Sequence, residues 1–181
     1  MEAMTLAGDF DREIVLKDGA CIRLRLIRPG DEAALTALHE RLSQQTAYQR
    51  FFMIMPRLPV NWAHHLANVD YRRRLALVAV DPTTADLVAV ARYEMTSDPT
   101  TAEVAFVVQD RWQNRGLGSL LFGELLRAAS LNGIARFRAW VLGDNRRMLD
   151  MIARFGAIVD RTLDHGVVDV VFEAPGPVSR G

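Results

Sequence analysis

The sequence has little of the material from which several classes of protein are built. It contains one cysteine in 181 residues, so no disulfide can form within the chain, which is typical of a reducing compartment. Lysine and arginine together number 22, as do aspartate and glutamate, so the formal net charge is zero. Proteins that bind nucleic acids normally carry a basic excess. We therefore expect no internal disulfide and no nucleic-acid partner.

Long apolar runs, a secretion signal and a metal-ligand pattern are also missing. No apolar segment approaches the roughly 20 residues that span a bilayer, and residues 1–5 lack the basic and apolar regions of a secretory signal. Ser43 stands where a zincin helix that began at His39 would carry its second histidine, and the other three histidines have no ligand spacing. We expect a cytoplasmic protein without a membrane partner or a metal.

Half of the residues are hydrophobic, which is enough for one well-packed core. We predict a single domain over residues 13–173, with a flexible arm at 1–12 and a flexible tail at 174–181. Cys21 begins a stretch in which Ile22 and Leu24 alternate with arginines, as in a half-buried strand. We interpret Cys21 as a buried small side chain rather than a nucleophile.

Apolar periodicity and turn residues predict the element order ββ-α-α-βββ-α-β-α-ββ, an α/β arrangement of a mixed sheet flanked by helices. Asp18-Gly19 between two β-rich runs indicates a hairpin, and Asp31 is placed to cap a helix that runs to about Leu42. The later helices are predicted at about 62–69, 117–132 and 145–155, and the later strands at 75–80, 87–95, 102–108, 134–142, 158–162 and 167–172.

The most informative motif is Gln-Asn-Arg-Gly-Leu-Gly-Ser at 113–119, between an apolar strand and a helix. Gly116 and Gly118 let the backbone approach a ligand closely, and the helix start offers free N–H groups and a positive dipole end. Such a turn favours a phosphate or pyrophosphate. A dinucleotide fingerprint would need glycine at Leu121, and a Walker A loop needs Gly-Lys-Ser/Thr. A tight turn without a ligand is the alternative.

The Gln-x-x-Gly-x-Gly pattern resembles the acyl-CoA pyrophosphate loop of the GNAT superfamily of N-acyltransferases, and the resemblance extends over roughly residues 20–173. A second feature, Asn145-Arg146-Arg147-Met148 followed by Phe155-Gly156, is similar to the Asn-led helix of that family. A third resembles the Pat-like bacterial protein lysine acetyltransferases, and consists of Leu42-Ser43, Tyr48-Gln49-Arg50-Phe51-Phe52 and Ala102-Glu103-Val104-Ala105.

The resemblance implies a GNAT-like fold, with a mostly antiparallel central sheet splayed between its two central strands, and acetyl-CoA as co-substrate. Backbone groups at Val107 and Val108 would pair with the pantetheine and polarise the thioester, and Asn145 would contact the pantetheine arm. The pyrophosphate would be held by Gln113, Asn114, Arg115, Gly116, Leu117, Gly118 and Ser119. The alternatives are an ordinary core strand at 107–108, a solvated Arg115 and a simple helix N-cap at Asn145.

Glu103 interrupts an apolar strand ten residues before Gln113. An alkyl amine with a pKa of ~10.4 must lose a proton before it attacks a thioester, and a nearby carboxylate can take that proton. The resemblance implies that Glu103 is this general base; a solvated or arginine-paired glutamate is the alternative. Many family members have a tyrosine where this chain has Ile152, so the general acid is unassigned. A thiol pKa of ~8.5 makes the thiolate a tolerable leaving group.

Three functions remain open on the sequence. The first is acetyl transfer from acetyl-CoA to a lysine side chain of protein substrates, for example acyl-CoA synthetases, with Glu103 as base. The second is an enzyme with the same cofactor and a small amine as acceptor. The third is an acyl-CoA sensor without catalysis, which the absent tyrosine favours and Glu103 opposes. The oligomeric state, monomer or homodimer, is open.

Overall fold

An eight-stranded sheet forms the centre of this computed structural model, which describes residues 8–175. The strands are β1 Arg12–Val15, β2 Cys21–Leu26, β3 Arg74–Val80, β4 Leu87–Met95, β5 Thr101–Val108, β6 Arg136–Leu142, β7 Ala157–Asp164 and β8 Val167–Glu173. The helices are α1 Glu32–Glu40, α2 Gln44–Phe51, α3 Val60–Ala67, α4 Leu117–Leu131 and α5 Arg146–Phe155. Short 3₁₀ turns lie at Pro29–Asp31 and Asp110–Trp112.

The strand order is β1-β2-β3-β4-β5-β6-β8-β7, and only the β5–β6 pair is parallel. The β4–β5 ladder runs from Met95↔Ala102 to Ala89↔Val108. The parallel ladder ends after Glu103↔Arg138. Beyond that pair β5 and β6 diverge, while β5 stays bonded to β4. The predicted mostly antiparallel sheet, flanked by helices and splayed at its centre, is confirmed.

Apolar side chains cover both faces of the sheet. On one face, α4 and α5 pack through residues such as Phe122, Leu125 and Ile152, which are fully buried. On the other face, α1 to α3 pack through a second cluster that includes Leu38 and Ala67. Because both faces are covered, β3 and the first seven residues of β4 are buried almost throughout, as an apolar strand run predicts.

The predicted hairpin at residues 18–19 is found in the structure, whereas one helix was not predicted. The hairpin at Asp18-Gly19 is confirmed, with Gly19 at φ +85° and the Leu16 N–H donating to the Ala20 carbonyl at 2.8 Å. The predicted order has two helices between β2 and β3, whereas the structure has three. The missed helix is α2, whose first turn is capped by the Ser43 hydroxyl accepting from the Thr46 N–H.

Two side-chain predictions are wrong. Cys21 is exposed, because β2 turns its even-numbered side chains inward and places Cys21 on the outer face with Arg23. Asp31 stands at the N-cap of α1, but its side chain makes no cap hydrogen bond. Its carboxylate is instead taken up by the guanidinium of Arg25 and the backbone N–H of Arg28.

The predicted arm and tail lie partly in residues 1–7 and 176–181, which are outside the described part of the chain. Of the arm residues that are described, Phe10 is fully buried in the core, with the Arg127 guanidinium 4.2 Å above its ring centroid, and Arg12 begins β1. Residues 10–12 are therefore integral to the core and sheet. Among the helices of residues 8–175, none combines the length and the apolar character needed to span a bilayer.

Candidate active site

A cavity of about 1150 Å³ opens where β5 and β6 diverge. The second half of β5, the glycine loop (residues 113–119), the start of α5 and one side of α2 line it. Most of the residues predicted from the sequence to form the site meet here: Glu103, Val107, Val108, Gln113, Asn114, Gly116, Gly118, Ser119 and Asn145. Two predicted residues, Arg115 and Leu117, do not line the cavity.

The glycine loop has the geometry of an anion site. Gly116 is the N-cap of α4 at φ +82°, a left-handed conformation that favours glycine, and Asn114 is also left-handed at φ +62°. The first intrahelical bond runs from the Leu120 N–H to the Gly116 carbonyl, so the three preceding N–H groups of the helix have no partner within it. No acidic residue lies in that first turn. These residues therefore fit a pyrophosphate.

The side chains of Leu117 and Arg115 make structural contacts, while the backbone N–H of Leu117 is one of the three unpartnered groups at the helix start. Leu117 is fully buried in the core and anchors the start of α4. Arg115 pairs with Asp18 of the β1–β2 hairpin, and its guanidinium lies 4.4 Å from the Trp112 ring centroid. The hydrogen bond from Arg115 holds the pKa of Asp18 below its usual value. Arg115 thus ties the glycine loop to the β1–β2 hairpin, and its contact with the pyrophosphate stays a prediction.

Replacing Gly116 with alanine should weaken acetyl-CoA binding, because a Cβ disfavours the left-handed conformation that orients the helix N–H groups. We expect about 1 kcal/mol loss of stability and a raised KM for acetyl-CoA. Gly133 is the matched control: it follows α4 at φ +79°, also in open space, away from the cavity. Gly133→Ala should cost similar stability with an unchanged KM; equal KM values for both variants would contradict the assignment.

Glu103 faces the cavity from β5 as a half-buried carboxylate without a hydrogen bond or ion pair within residues 8–175. Its cross-strand neighbours are Glu94 on β4 and Arg138 on β6. Burial raises the pKa of Glu103, Arg138 opposes this, and Glu94 adds to it. Arg138 is bonded to Asp169, with Nε 2.8 Å from Oδ1, and leaves the Glu103 carboxylate uncapped. Such a carboxylate is a stronger base than an exposed one.

The edge of β5 beyond Glu103 faces the cavity without a strand partner among residues 8–175, because the ladder to β6 stops there. Val107 and Val108 lie on this segment and still pair with β4. The Val108 carbonyl accepts a hydrogen bond from the Gln113 side-chain amide at 2.9 Å. Gln113 therefore ties the glycine loop to the strand as well as lining the cavity.

Asn145 caps α5, since its side-chain oxygen accepts from the Met148 N–H at 3.3 Å. The N-cap interpretation is therefore confirmed, and contact with pantetheine stays a prediction. Next to it, the Arg147 guanidinium donates to the Asn114 side-chain oxygen at 2.6 Å and connects α5 to the glycine loop. Arg146, Arg147 and Arg154 line this rim together with Asp144 and Asp150, so its arginines outnumber its carboxylates by one.

Ile152, at the position where the resemblance implies a tyrosine in many family members, is fully buried in the core. The cavity is lined by its neighbours Met148, Met151 and Arg154 on α5. The side chain of Ile152 therefore lies in the core and not in the cavity.

Three further residues were missed by sequence reasoning. Asp110 accepts from the Ser43 N–H at 2.9 Å, the Ser43 hydroxyl at 2.6 Å and the Thr46 hydroxyl at 2.8 Å, and so holds the start of α2 against the glycine loop. Arg50 and Arg92 line the cavity near Glu103. Arg92 carried a readable signal, because it interrupts an apolar strand just as Glu103 does.

Metal chemistry finds no support in the donor set of residues 8–175, where no three His, Cys, Asp or Glu side chains come together in a way that could hold an ion. The chemistry of the cavity rests on the half-buried carboxylate of Glu103, an anion-binding helix start and several arginines.

A strand-flanked cavity, a glycine loop and a splayed sheet define an N-acyltransferase architecture, and comparison with known proteins agrees. The model of the acetyltransferase (GNAT) family matches residues 32–157, and the chain belongs to this family.

Within the family, the chain is 34% identical over 164 residues to acetyltransferase Pat of Mycolicibacterium smegmatis. The matched segment covers 90% of this chain and 48% of that protein. The chain thus spans about half the length of this relative. The crystal structure of the GNAT domain of S. lividans PAT superposes with a TM-score of 0.82 at 32% identity, covering 90% of this chain and 96% of that one. An acetyltransferase from Salmonella typhimurium, solved with its cofactor acetyl-CoA, shares the fold at 14% identity and a TM-score of 0.66, over 88% and 96% of the two chains.

Proposed function

We propose that the chain transfers an acetyl group from acetyl-CoA to an amine, with a lysine side chain of a protein as the acceptor and Glu103 as the general base. The observation that carries the proposal is the uncapped, half-buried Glu103 carboxylate at the point where β5 and β6 part. The similarity to the Pat acetyltransferases supports a protein acceptor. These bacterial relatives also support a bacterial cytoplasmic setting.

The glycine loop binds the pyrophosphate of the co-substrate in this proposal. The unpartnered N–H groups at the start of α4 donate to phosphate oxygens, and the helix dipole favours their charge. Arg146 and Arg147 add positive charge at the same rim. The thioester then lies along the free edge of β5 at Val107 and Val108, where a backbone N–H group stabilises the oxyanion of the tetrahedral intermediate.

Glu103 takes the proton that the acceptor amine must lose. Its pKa is raised by burial, which improves proton transfer from an ammonium group. The neutral amine attacks the thioester carbonyl, a C–N bond forms, and the C–S bond breaks to release CoA thiolate. The thiolate leaves with a pKa of ~8.5 and takes a proton from water, because position 152 offers no acid.

Release of CoA thiol from acetyl-CoA tests the proposal. One panel contains purified proteins, including an acyl-CoA synthetase, and the other contains small amines; acetylated products are identified by mass spectrometry. We expect thiol release coupled to acetyl-lysine on protein. Transfer to small amines alone would show that the acceptor is a small amine and not a protein lysine. Binding of acetyl-CoA with no transfer to either panel would support a sensor without catalysis.

A further inference from the structure

Arg92 is a buried cation without a counter-ion. Its side chain belongs to β4, the residue is only 7% exposed, and its guanidinium reaches the Leu66 carbonyl at 3.4 Å from both terminal nitrogens. Within residues 8–175, no carboxylate lies within 4.0 Å of it. A guanidinium has five N–H donors, so most of the hydrogen-bonding capacity of Arg92 is unused.

Arg50 adds a second unpaired cation at the same place. It lies in the last turn of α2 and packs 4.8 Å from the Phe51 ring centroid, and within residues 8–175 it makes no hydrogen bond or ion pair. Desolvation lowers the pKa of Arg50 to about 10. Desolvation and the charge of Arg50 lower the pKa of Arg92 to about 10, and the more distant Glu94 opposes this shift. Both guanidinium groups therefore stay charged at neutral pH.

Two neighbouring charges of the same sign, one buried at Arg92 and one partly buried at Arg50, are unfavourable unless an anion compensates them. Elsewhere the chain pairs its half-buried arginines: Arg25 makes two hydrogen bonds to the Asp31 carboxylate, at 2.8 and 2.9 Å. The described chain provides no such carboxylate for Arg50 and Arg92. Glu94 and Glu103 share this face of the sheet but lie beyond ion-pair distance, so a direct anionic partner would come from a ligand in the cavity that both arginines line.

The position of the pair identifies which ligand. Arg92 lies opposite Ala105, on the same face of the sheet as Glu103 and about 6.6 Å along the strand from it. A smaller cavity shares Arg50, Arg92 and Ala105 with the main one. The glycine loop begins beyond the far end of β5. The pair therefore lies beside the acceptor amine and not beside the pyrophosphate.

We propose that Arg50 and Arg92 bind a carboxylate carried by the acceptor close to its reacting amine, an inference that rests on the proposed acetyl transfer. A planar guanidinium binds a carboxylate through two parallel hydrogen bonds, which fixes orientation as well as affinity. The carboxylate has two sources. It belongs either to an acidic side chain next to the target lysine of a protein or to a free amino acid.

Matched acceptors test the inference and distinguish the two possible sources of the carboxylate. Each free amino acid is compared with its carboxamide, and a capped peptide with one lysine between two glutamates is compared with the same peptide carrying glutamines. The readouts are kcat/KM for transfer and calorimetric binding to CoA-loaded protein. We expect the acceptor that carries the carboxylate to have a kcat/KM about 10- to 100-fold higher than its amide counterpart in one of the two comparisons. The comparison that shows this preference identifies whether the carboxylate belongs to a free amino acid or to a peptide. Equal use and equal binding of both members in both arms would overturn the inference.

Arg92→Gln should abolish this preference without changing the KM for acetyl-CoA. It should also melt no lower than the wild type, because it removes an uncompensated buried charge. Arg127→Gln, which alters an arginine on the opposite face of the sheet, is the control and should keep the preference. A preference retained in Arg92→Gln, or a rise in the KM for acetyl-CoA alone, would contradict the assignment. If no acceptor is acetylated, the proposed function fails, and the calorimetric preference still decides this inference.

Discussion

Glu103→Gln is expected to lower kcat by about 10²- to 10⁴-fold, the usual contribution of a positioned general base. The amide keeps the size of the side chain but cannot accept the proton of an ammonium group. The glycine loop and the β5 edge are untouched, so the KM for acetyl-CoA and the melting temperature should stay at their wild-type values. Steady-state kinetics on the best acceptor, with CoA binding measured separately, checks the result.

The pH dependence gives the same assignment a second test. Glu103 acts only when deprotonated, so kcat/KM should fall as the pH drops through its pKa, which burial raises above the ordinary carboxyl value. Glu94→Gln is the matched control, since Glu94 faces Glu103 across the β4–β5 ladder and is about half exposed. Removing its negative charge should lower the Glu103 pKa and move the acid limb to lower pH, with little loss of kcat. Wild-type turnover in Glu103→Gln would end the base assignment.

Arg25→Gln is expected to cost about 3 kcal/mol in the free energy of unfolding, because it leaves the Asp31 carboxylate charged and nearly buried. Arg25 and Asp31 side chains are 13% and 11% exposed. Two parallel hydrogen bonds join them, and the Arg28 N–H donates to the same carboxylate at 2.7 Å. Urea unfolding should show a lower midpoint at an unchanged m-value.

Acid should act on the same pair. Burial alone would raise the pKa of Asp31, but the hydrogen bonds from Arg25 and the Arg28 N–H outweigh it, and the net pKa is lowered from 3.8. The stabilisation is therefore complete above the unfolded carboxyl pKa and is lost as the pH falls through the lower folded value. The double variant Arg25→Gln/Asp31→Asn should recover much of the loss. A midpoint unchanged in Arg25→Gln would show that the pair is energetically neutral.

Much of the site was readable from local chemistry. The glycine loop, the strand before it and Glu103 each carry a signal within a few residues: glycines at a helix start, an apolar run, and a charge that breaks the run. The element order followed from the same kind of pattern, apart from α2. That helix begins at the capping residue Ser43, a cue that the sequence displays but that a short aromatic-rich segment obscured.

What failed depended on partners distant in sequence or on the direction of a side chain. The contact of Arg115 was not foreseen because its guanidinium binds Asp18, in a hairpin 97 residues earlier. Leu117 points into the core because the first turn of α4 must pack against the sheet. Cys21 faces outward since its neighbour Ile22 occupies the core. The sequence shows Arg92 inside an apolar strand, but it does not show that no carboxylate of residues 8–175 lies within ion-pair distance, because that depends on the folded positions of the acidic residues.

The hydrogen bonds of Asp110 connect the two sides of the cavity, the start of α2 and the segment that leads into the glycine loop. Asp110 holds Ser43 and Thr46 at the start of α2, and Gln113 reaches the same Thr46 hydroxyl at 3.3 Å. Arg50 lies at the other end of that short helix. A nucleotide bound at the glycine loop would therefore be connected through Asp110 and Gln113 to the helix that carries Arg50, and any gain in affinity that it gave an acceptor there would be returned to the nucleotide by the same factor.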